Sequence, residues 1–446
     1  MNIIIVGAGS VGFTVAEVLS PIHDVLIIED DISKAETVKS LLNVSVLHED
    51  GASPKVLESA IIRHQADVII CTTSRDEENL FIAMISKRIK STIKTIAKIR
   101  DPDYFINTSS SGVDQIISPE LITSNKIATL ALLENSVDYE AIESMNMGLA
   151  TFEVTEEHTN IIGSVVINLK LPEESTVVAI YRNDDVILNN ETTELHIGDR
   201  VCVLGSPKGI TEFNQMMGVA HEAGEIVIMG GGIAGSYTAK ILESKKRYIK
   251  LFEPNAERCR KLARDFNNVI IVNGSCVDPH LLRSENIGRA DVLIATTDID
   301  ETNLLACLMG MKLGVKKIIS RYSMVEYEDI FDFTGIETTI GYHRVVANEI
   351  TKTLISDEQA ILRMKKEGEL FFSVNLDSRS KICNEHLGDV HLPDGARIAC
   401  IIRNEKAIYP RMDTQFKLGD KVLVFTYNVS ISKLERLFGT TININI

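Results

Sequence analysis

Two short segments of the sequence have the residue types and the spacing that bind a phosphate chain. Each carries glycine at its first, third and sixth positions, follows an apolar run and precedes a helical pattern. The segments are Gly7-Ala8-Gly9-Ser10-Val11-Gly12 and Gly230-Gly231-Gly232-Ile233-Ala234-Gly235. In a strand–turn–helix unit the three glycines permit a tight turn, a close approach of backbone to a pyrophosphate, and close packing of helix on strand. The free N–H groups at the helix start favour phosphate anions, so both segments predict a nucleotide site.

A carboxylate ends the next apolar run in both halves of the chain. Glu29 lies 22 positions after Gly7, and Glu253 lies 23 positions after Gly230. A carboxylate at this place accepts hydrogen bonds from ribose hydroxyls and repels a 2′-phosphate. NAD, as NAD⁺ or NADH, is therefore favoured over NADP, and ATP and ADP stay open as alternatives. The structural alternative is a strand–turn–helix with an empty crevice, and it carries more weight for the second copy, because a duplicate can lose its ligand.

Polar residues follow the fourth predicted strand. Thr73 and Ser74 occupy positions where a parallel sheet presents side chains to a ligand, and Thr297 and Asp298 are their counterparts. Capping of the following helix is an equal and compatible role. The simplest interpretation of the carboxylates at 76–78 is that they lie in the first turn of a helix and interact favourably with its dipole. Acid–base or metal chemistry is the minority alternative.

Cations follow the fifth predicted strand. Lys98 and Arg100 could each pair with a phosphate, and a solvated surface position is the alternative for both. Arg321 is the counterpart of Lys98, while Ser323 stands where the first half has Arg100.

The elements that must position these residues occur twice. Thr73 to Leu80 recurs at Thr297 to Leu304, 224 positions later, and Gly198-Asp199 recurs at Gly419-Asp420, 221 positions later. The layout is therefore a large unit and a small unit, repeated once. In the first large unit, short apolar runs alternate with helical patterns such as Val11–Leu19 and Ser33–Leu41. The runs predicted as strands are Ile3–Val6, Val25–Ile28, Val44–Leu47, Val68–Cys71 and Thr95–Ile99.

This pattern predicts an α/β protein with two Rossmann-like parallel-sheet domains, each followed by a small α+β lobe. Strands at Thr176–Tyr181 and Arg200–Leu204 belong to the first small lobe. A helix at Leu121–Asn135 is the predicted connector, and the charged stretch Lys365–Glu369 marks the same joint in the second half. The predicted domains are 1–137, 138–222, 223–355 and 356–446.

Composition narrows the class of protein. A net charge of −16 disfavours nucleic acid and anionic lipid as partners. Seven cysteines without a Cys-x-x-Cys pair indicate neither a zinc site nor a disulfide framework, but reduced, mostly buried thiols in a cytosolic protein. No signal peptide is predicted, and no run reaches the ~20 apolar residues that a spanning helix needs. A role in transport would therefore require a separate membrane subunit.

At these motifs the chain resembles the TrkA family, the NAD-binding peripheral components of bacterial and archaeal Trk potassium-uptake systems. The resemblance covers essentially the whole chain. It rests on Asn2–Gly12, Glu29, Thr73–Leu80, Lys98–Tyr104, Gly230–Gly235, Glu253, Thr297–Asn303 and the two Gly-Asp turns. One departure is Gly274-Ser275, where the family often has Gly-Asp.

The resemblance implies two tandem RCK modules, each a Rossmann lobe plus a small C-terminal lobe. It also implies a tetrameric ring on the inner, cytoplasmic face of the plasma membrane, bound to an integral-membrane potassium-translocating subunit and controlled by nucleotide. It assigns the first site to Gly7, Ala8, Gly9, Ser10, Val11, Gly12, Glu29, Thr73, Ser74 and Lys98. It assigns the second to Gly230, Gly231, Gly232, Ile233, Ala234, Gly235, Glu253, Thr297 and Arg321.

Two other functions are compatible with these motifs. An NAD-dependent oxidoreductase would need a substrate pocket with a general acid or base, and the small lobes look too small and too repetitive to supply one. A structural protein with vestigial sites is the other alternative. The regulatory subunit is preferred, with no catalytic residues and no metal.

Overall fold

The computed structural model describes residues 1–102, 104, 112–142, 145–183, 185–188, 192–218, 224–336, 338–354, 361–363, 368–440 and 442. The chain divides into two compact units, which alternate along the sequence. One contains Met1–Ala128 and Gly224–Thr353, and the other contains Thr129–Ala223 and Leu354–Ile444. Residues 103 and 365–367, which belong to predicted features, lie outside the described residues. The bounds of the four predicted domains stay predictions.

The first large lobe is a six-stranded sheet in the order β3-β2-β1-β4-β5-β6, with every neighbouring pair parallel. Its strands are β1 (Asn2–Val6), β2 (Asp24–Glu29), β3 (Ser45–His48), β4 (Val68–Cys71), β5 (Lys94–Lys98) and β6 (Gln115–Ile117). Its helices are α1 (Ser10–Leu19), α2 (Ile32–Leu41), α3 (Pro54–Arg63), α4 (Asp76–Ile89) and α5 (Pro119–Leu132). This is the Rossmann strand order, and the ligand crevice of such a sheet lies beyond the carboxyl ends of β1 and β4.

Burial explains the central strands. Ile3, Ile4 and Ile5 of β1 have no exposed surface, and all four residues of β4 are buried. Continuous apolar runs of this kind are needed where helices cover both faces of a parallel sheet. The predicted strands and helices are confirmed to within one or two residues, apart from the connector helix, which ends three residues before its predicted end.

The large and small lobes of the second half repeat this design. The second large sheet has the order β14-β13-β12-β15-β16-β17. Its strands are β12 (Glu225–Met229), β13 (Tyr248–Glu253), β14 (Val269–Asn273), β15 (Val292–Ala295), β16 (Lys317–Tyr322) and β17 (Thr338–Gly341). Its helices are α7 (Ile233–Ser244), α8 (Ala256–Asp265), α9 (Pro279–Ser284), α10 (Asp300–Leu313), α11 (Glu328–Phe333) and α12 (Tyr342–Leu354).

The small lobes are antiparallel five-stranded sheets with one helix each, as the α+β prediction requires. The first has the order β10-β9-β11-β8-β7 and the second has the equivalent order β21-β20-β22-β19-β18. The first contains β7 (Ser136–Ile142), β8 (Met147–Glu153), β9 (Ser175–Arg182), β10 (Asp185–Ile187), β11 (Arg200–Gly205) and α6 (Pro207–Met216). The second contains β18 (Ile361–Arg363), β19 (Glu369–Asn375), β20 (Ala396–Arg403), β21 (Lys406–Ile408), β22 (Lys421–Tyr427) and α13 (Ile431–Phe438).

A shared core joins the two small lobes. Leu149 and Cys202 of the first lobe belong to the same buried cluster as Phe371, Cys400 and Phe425 of the second. Each small sheet thus has one face against its own helix and one against the other lobe, which explains why both faces are apolar.

The repeated Gly-Asp turns prove to be structural. Asp199 accepts two hydrogen bonds from the Arg182 guanidinium, each at 2.7 Å, and Asp420 accepts the same pair from Arg403 at the same distances. Both carboxylates are buried. Among the described helices, none is both long enough and apolar enough to cross a bilayer.

Candidate nucleotide-binding site

A cleft of about 580 Å³ lies at the carboxyl edge of the first large sheet. This volume is within the ~300–1,000 Å³ typical of small-molecule sites. Eight of the residues predicted for the first site line it, namely Gly7, Gly9, Ser10, Val11, Glu29, Thr73, Ser74 and Lys98. Residues of the second large lobe also line it, namely Asp298, Arg321, Ser323 and Tyr342. Both large lobes therefore contribute to one cleft.

The three glycines of the first motif meet different surroundings. Gly7 has a φ of +97°, and a β-carbon there would lie 2.9 Å from the Thr73 nitrogen. A β-carbon on Gly12 would lie 1.9 Å from the carbonyl oxygen of Gly7, and one on Gly9 would have no atom within 4 Å. Gly7 and Gly12 are therefore required by the fold. Gly9 is not, and the space in front of it is open.

The first N–H groups of α1 face this open space, and no side chain among the described residues accepts hydrogen bonds from them. Gly9 is the N-cap residue, and it has no side chain to accept from the first-turn N–H groups. The first turn of α1 contains no acidic residue. Unpaired amides and the positive end of the helix dipole therefore remain available to an anion.

Glu29 has a second role that its position in the sequence did not indicate. Its side chain is buried, and its carboxylate accepts hydrogen bonds from the N–H groups of Ala8 and Asp31. These contacts tie the glycine turn to the end of β2. A carboxylate has about four lone-pair sites, so two ribose hydroxyl contacts could still be accepted. Ala8 thus contributes through its backbone.

The Thr73–Leu80 repeat mainly holds the loops at the edge of the sheet. The Asn79 side chain accepts from Thr73 N–H at 2.9 Å and donates to the carbonyl oxygen of Lys98 at 2.9 Å. Asp76 accepts from the N–H groups of Arg100 and Asp101. Asn303 and Asp300 make the equivalent bonds in the second lobe.

The capping role considered for Thr73 and Ser74 is not observed. Arg75 is the N-cap residue of α4, and no side chain caps that helix. Thr73 instead accepts from the N–H of Arg75 at 3.3 Å. The 76–78 cluster begins α4, and its first member acts as an anchor for the loop after β5. No group of His, Cys, Asp and Glu side chains suited to a metal ion occurs in the described part of the chain.

Lys98 is a buried cation at the floor of the cleft. Its Nζ donates to the carbonyl oxygen of Thr72 at 3.2 Å. Burial, and after it the charge of Arg100, lower the pKa of Lys98 to about 8, although the charges of Asp76 and Glu120 oppose the shift. A nearby phosphate would stabilise the charged ammonium.

Four charged side chains from both large lobes meet beside Lys98. The Glu120 carboxylate, at the start of α5, accepts from Arg321 Nη1 at 2.9 Å and from Arg100 Nε at 3.3 Å. Asp298 lies 3.6 Å from Arg100 Nη2 and 3.9 Å from Arg321 Nη2. The Arg321 guanidinium also lies 4.6 Å from the centre of the Tyr342 ring. This group of residues is called the inter-lobe network below.

The second glycine segment has the same backbone form but different neighbours. Gly230 has a φ of +110°, and a β-carbon on Gly235 would lie 1.9 Å from the Gly230 carbonyl oxygen. A β-carbon on Gly232 would have Asp298 Oδ2 as its nearest atom, at 3.9 Å. Ile233 and Ala234 begin α7, and the Ala234 carbonyl oxygen accepts from Ser124 of α5 at 2.9 Å.

The acidic residue of the second segment is more heavily engaged than that of the first. Glu253 accepts from Gly231 N–H at 3.1 Å and pairs with Arg258 at 3.1 Å. Leu262 also stands over the turn, because a β-carbon on Gly231 would lie 2.7 Å from its Cδ1. In the first lobe, Lys34 replaces Arg258, and no carboxylate of the described residues lies within ion-pair distance of it. Lys34 lines the first cleft instead.

Thr297 lies at the position equivalent to Thr73, whereas the side chain of Arg321 lies in the cleft of the first lobe. Thr297 follows β15, as Thr73 follows β4, and its N–H donates to Asn303 at 2.8 Å. The backbone of Arg321 matches that of Lys98, since each carbonyl oxygen accepts from the corresponding asparagine. The Arg321 side chain, however, lines the cleft of the first lobe. Its assignment to the second site, which the family resemblance implied, stays a prediction.

Several cleft residues were not selected from the sequence. Lys34, Arg75 and Tyr342 line the cleft, and Glu120 pairs with two of its arginines. The 224-position repeat relates Lys34 to Arg258, which was a usable signal. Tyr342 and Glu120 meet Arg321 through tertiary packing, for which the sequence offers no local signal.

Comparison with known proteins agrees with this architecture. The TrkA-N domain model matches residues 3–119 and 226–341, and the TrkA-C domain model matches 149–218 and 371–439. The "Trk system potassium uptake protein TrkA homolog 1" of Methanosarcina mazei is 30% identical, with 98% of this chain and all of that protein covered. The TrkA homolog of Archaeoglobus fulgidus is 31% identical, again with 98% of this chain and all of that protein covered.

Solved structures share the fold. The RCK domain of GsuK superposes with a TM-score of 0.64 at 18% identity, covering 98% of this chain and 95% of that one. The GsuK channel bound to NAD gives a TM-score of 0.63 at 19% identity, covering 99% of this chain and 78% of that one. The paired matches to both domain models and the full-length relatives lead to one conclusion: the chain belongs to the TrkA family of Trk potassium-uptake proteins.

Proposed function

We propose that this chain is the nucleotide-binding regulatory subunit of a Trk-type potassium-uptake system. The first large lobe holds NAD⁺, NADH, ADP or ATP in its cleft. The chain acts without catalysis, through a nucleotide that binds two shapes of the assembly with different affinity. Its proposed partner is an integral-membrane potassium-translocating subunit at the inner face of the membrane, and its proposed assembly is a homotetrameric ring.

The observation that carries this proposal is the open space at Gly9. No atom lies within 4 Å of the β-carbon position of Gly9, so the packing of the protein does not itself require glycine there. The adjoining amides of α1 lack a side-chain acceptor. Space and unpaired donors at a helix start are the requirements of a bound phosphate.

The residues present fit an adenine nucleotide. The amides of Ser10 and Val11 would face the phosphate chain, Glu29 would accept from ribose hydroxyls, and Lys98 would supply a positive charge. Five cations line the cleft and could pair with phosphates, namely Lys34, Arg75, Lys98, Arg100 and Arg321. Five carboxylates line it too, namely Glu29, Asp30, Asp50, Glu78 and Asp298.

The names of the relatives support the choice of system. The relatives from Methanosarcina mazei and Archaeoglobus fulgidus are both named as homologs of the Trk system potassium uptake protein TrkA, and the match covers all of each. GsuK is a channel whose structures include complexes with NAD and with ADP. The oxidoreductase alternative gains no support from these relatives.

A binding experiment tests the nucleotide part of the proposal. Purified full-length chain is titrated with NADH, NAD⁺, ADP and ATP by isothermal calorimetry, with Gly9→Val as the matched variant. We expect binding of at least one nucleotide to the wild type and its loss in Gly9→Val. Absence of binding by all four nucleotides to the wild type would refute the proposal.

An uptake experiment tests the regulatory part. Potassium uptake is measured in cells that contain a Trk membrane subunit but no TrkA protein, complemented with wild-type chain or with Gly9→Val. We expect the wild type to change the uptake rate in a nucleotide-dependent way and the variant to lose that dependence. Equal uptake with and without the chain would contradict a regulatory role, and turnover of NADH with a small carbonyl substrate would favour the oxidoreductase.

A further inference from the structure

Arg321 belongs to the second large lobe by sequence and to the first lobe's cleft by position. Its side chain is only 4% exposed, and it lines the cleft that contains Gly9. Its Nη1 donates to Glu120, whereas its buried Nε has no hydrogen-bond partner among the described residues. A buried guanidinium N–H without a partner is costly, and an acceptor supplied by a ligand would remove that cost.

Arg100 reaches the same point from the first lobe. One carboxylate, Glu120, is shared between the two guanidinium groups, and Asp298 is at the longer distances of 3.6 and 3.9 Å from them. Glu120 is 1% exposed, while the Asp298 side chain is 70% exposed. Two arginines that share one buried carboxylate leave several N–H donors for a further anion.

The position of Arg321 is held at its backbone and at its guanidinium group. The Asn303 side chain donates to its carbonyl oxygen at 3.0 Å, and the Tyr342 ring lies 4.6 Å from the guanidinium carbon. A guanidinium fixed in this way is suited to bidentate recognition of phosphate.

We propose that Arg321 is a ligand-binding residue of the first lobe's site, and that it acts together with Arg100 to hold a phosphate group of the bound nucleotide. The phosphate competes with Glu120 and Asp298 for the two guanidinium groups. The ligand of the first lobe is thereby sensed directly by the second lobe. This inference rests on the proposed function, since it concerns the same cleft and the same class of ligand.

Two opposite charge changes separate ligand binding from a structural role. Arg321→Gln removes a phosphate-binding cation, so it should weaken ADP binding roughly tenfold, as expected for the loss of a charged hydrogen bond. Glu120→Gln removes a competing carboxylate, so it should tighten ADP binding several-fold. A merely structural salt bridge predicts that both variants bind more weakly.

The experiment is calorimetric titration of the full chain with ADP, and in parallel with NADH. Arg344→Gln is the matched control, because Arg344 pairs with Glu328 at 2.8 Å in the same lobe but does not line the cleft. Its affinity should equal that of the wild type. If Glu120→Gln does not fold, Asp298→Asn removes the exposed competitor instead and should also tighten binding.

The outcomes are distinguishable. Weaker binding by Arg321→Gln with tighter binding by Glu120→Gln or Asp298→Asn supports the inference. Wild-type affinity in Arg321→Gln overturns the inference and leaves the proposed function intact. Weaker binding by Arg321→Gln, Glu120→Gln and Asp298→Asn alike has the same consequence. Failure of the wild type to bind either nucleotide overturns both.

Discussion

A β-carbon on Gly12 would lie 1.9 Å from the carbonyl oxygen of Gly7, so α1 can approach β1 only because residue 12 has no side chain. Gly9, three residues earlier, has no comparable neighbour. One motif thus contains a glycine that serves the fold and a glycine that leaves room for a ligand. The two can be separated by experiment.

Valine at these two positions should give opposite results. Gly12→Val should destabilise the first large lobe by more than about 3 kcal/mol, because backbone cannot move aside without separating helix from strand. Gly9→Val should cost no more than about 1 kcal/mol, because the φ of −65° suits any residue and only the N-cap preference for glycine is lost, and it should abolish nucleotide binding. Thermal melts followed by circular dichroism and calorimetric titration measure both effects. Wild-type nucleotide affinity in Gly9→Val would count against the site.

Nucleotide binding should weaken as the pH rises through about 8. Burial, reinforced by Arg100, lowers the pKa of Lys98 to about 8 in the free protein. A bound phosphate favours the charged ammonium and raises that pKa, so binding takes up a proton and is strongest where Lys98 is already charged. From pH 7 to pH 9 the affinity should fall about tenfold if the bound ammonium stays charged.

Lys98→Met is the control for this pH dependence. The variant should bind nucleotide more weakly at pH 7, and its affinity should change little between pH 7 and pH 9. Titrations in buffers of different ionisation enthalpy report the proton uptake directly. An unchanged pH profile in the variant would show that another group is responsible.

The two Arg–Asp pairs of the small lobes should contribute equally to stability. Asp199→Ala and Asp420→Ala each leave a guanidinium without its two 2.7 Å hydrogen bonds. Each substitution should cost about 2 kcal/mol or more. Glu212→Ala, which removes only a surface pair with Lys208, should cost less than about 1 kcal/mol. Chemical denaturation compares the three, and a Glu212→Ala effect as large as the others would contradict the structural assignment.

Cysteine accessibility should follow burial. Cys383 is partly exposed, and the other six cysteines are buried. Burial raises the pKa of the Cys307 and Cys400 thiols to about 12, so few thiolates are available at neutral pH. Brief maleimide treatment of the native chain should modify Cys383 first, and denatured chain should modify all seven. Mass spectrometry identifies the sites, and early labelling of Cys71 would contradict the buried first sheet.

Much of the fold could be predicted because the local sequence patterns and the internal repeat predict the same strands and turns. The all-buried run of β4 and the glycine motifs are local signals, and the repeat supplies each of them twice. The sixth strand was missed, since Gln115–Ile117 is only three residues long and alternation is not visible over so short a run. The role of Asn79 was also missed, because its partners are backbone atoms of two different loops.

The site could be predicted only in part, for a physical reason. The glycine turn, Glu29 and Lys98 lie within one sheet, so the topology of that sheet brings them together. Arg321 meets Glu120 across 201 positions of sequence, through packing of one large lobe on the other. The resemblance assigned Arg321 to the second site, and only the packing of the two lobes shows that this long side chain also lines the cleft of the first.

A crystal structure of the full chain with whichever of NADH, NAD⁺, ADP and ATP binds most tightly tests the central claim most directly. The account predicts the phosphates in front of Gly9 at the start of α1, within hydrogen-bond distance of the Ser10 and Val11 amides, with the ribose beside Glu29. A crystal in which that nucleotide binds elsewhere, or in which only solvent occupies this cleft at a saturating concentration of it, would contradict the claim.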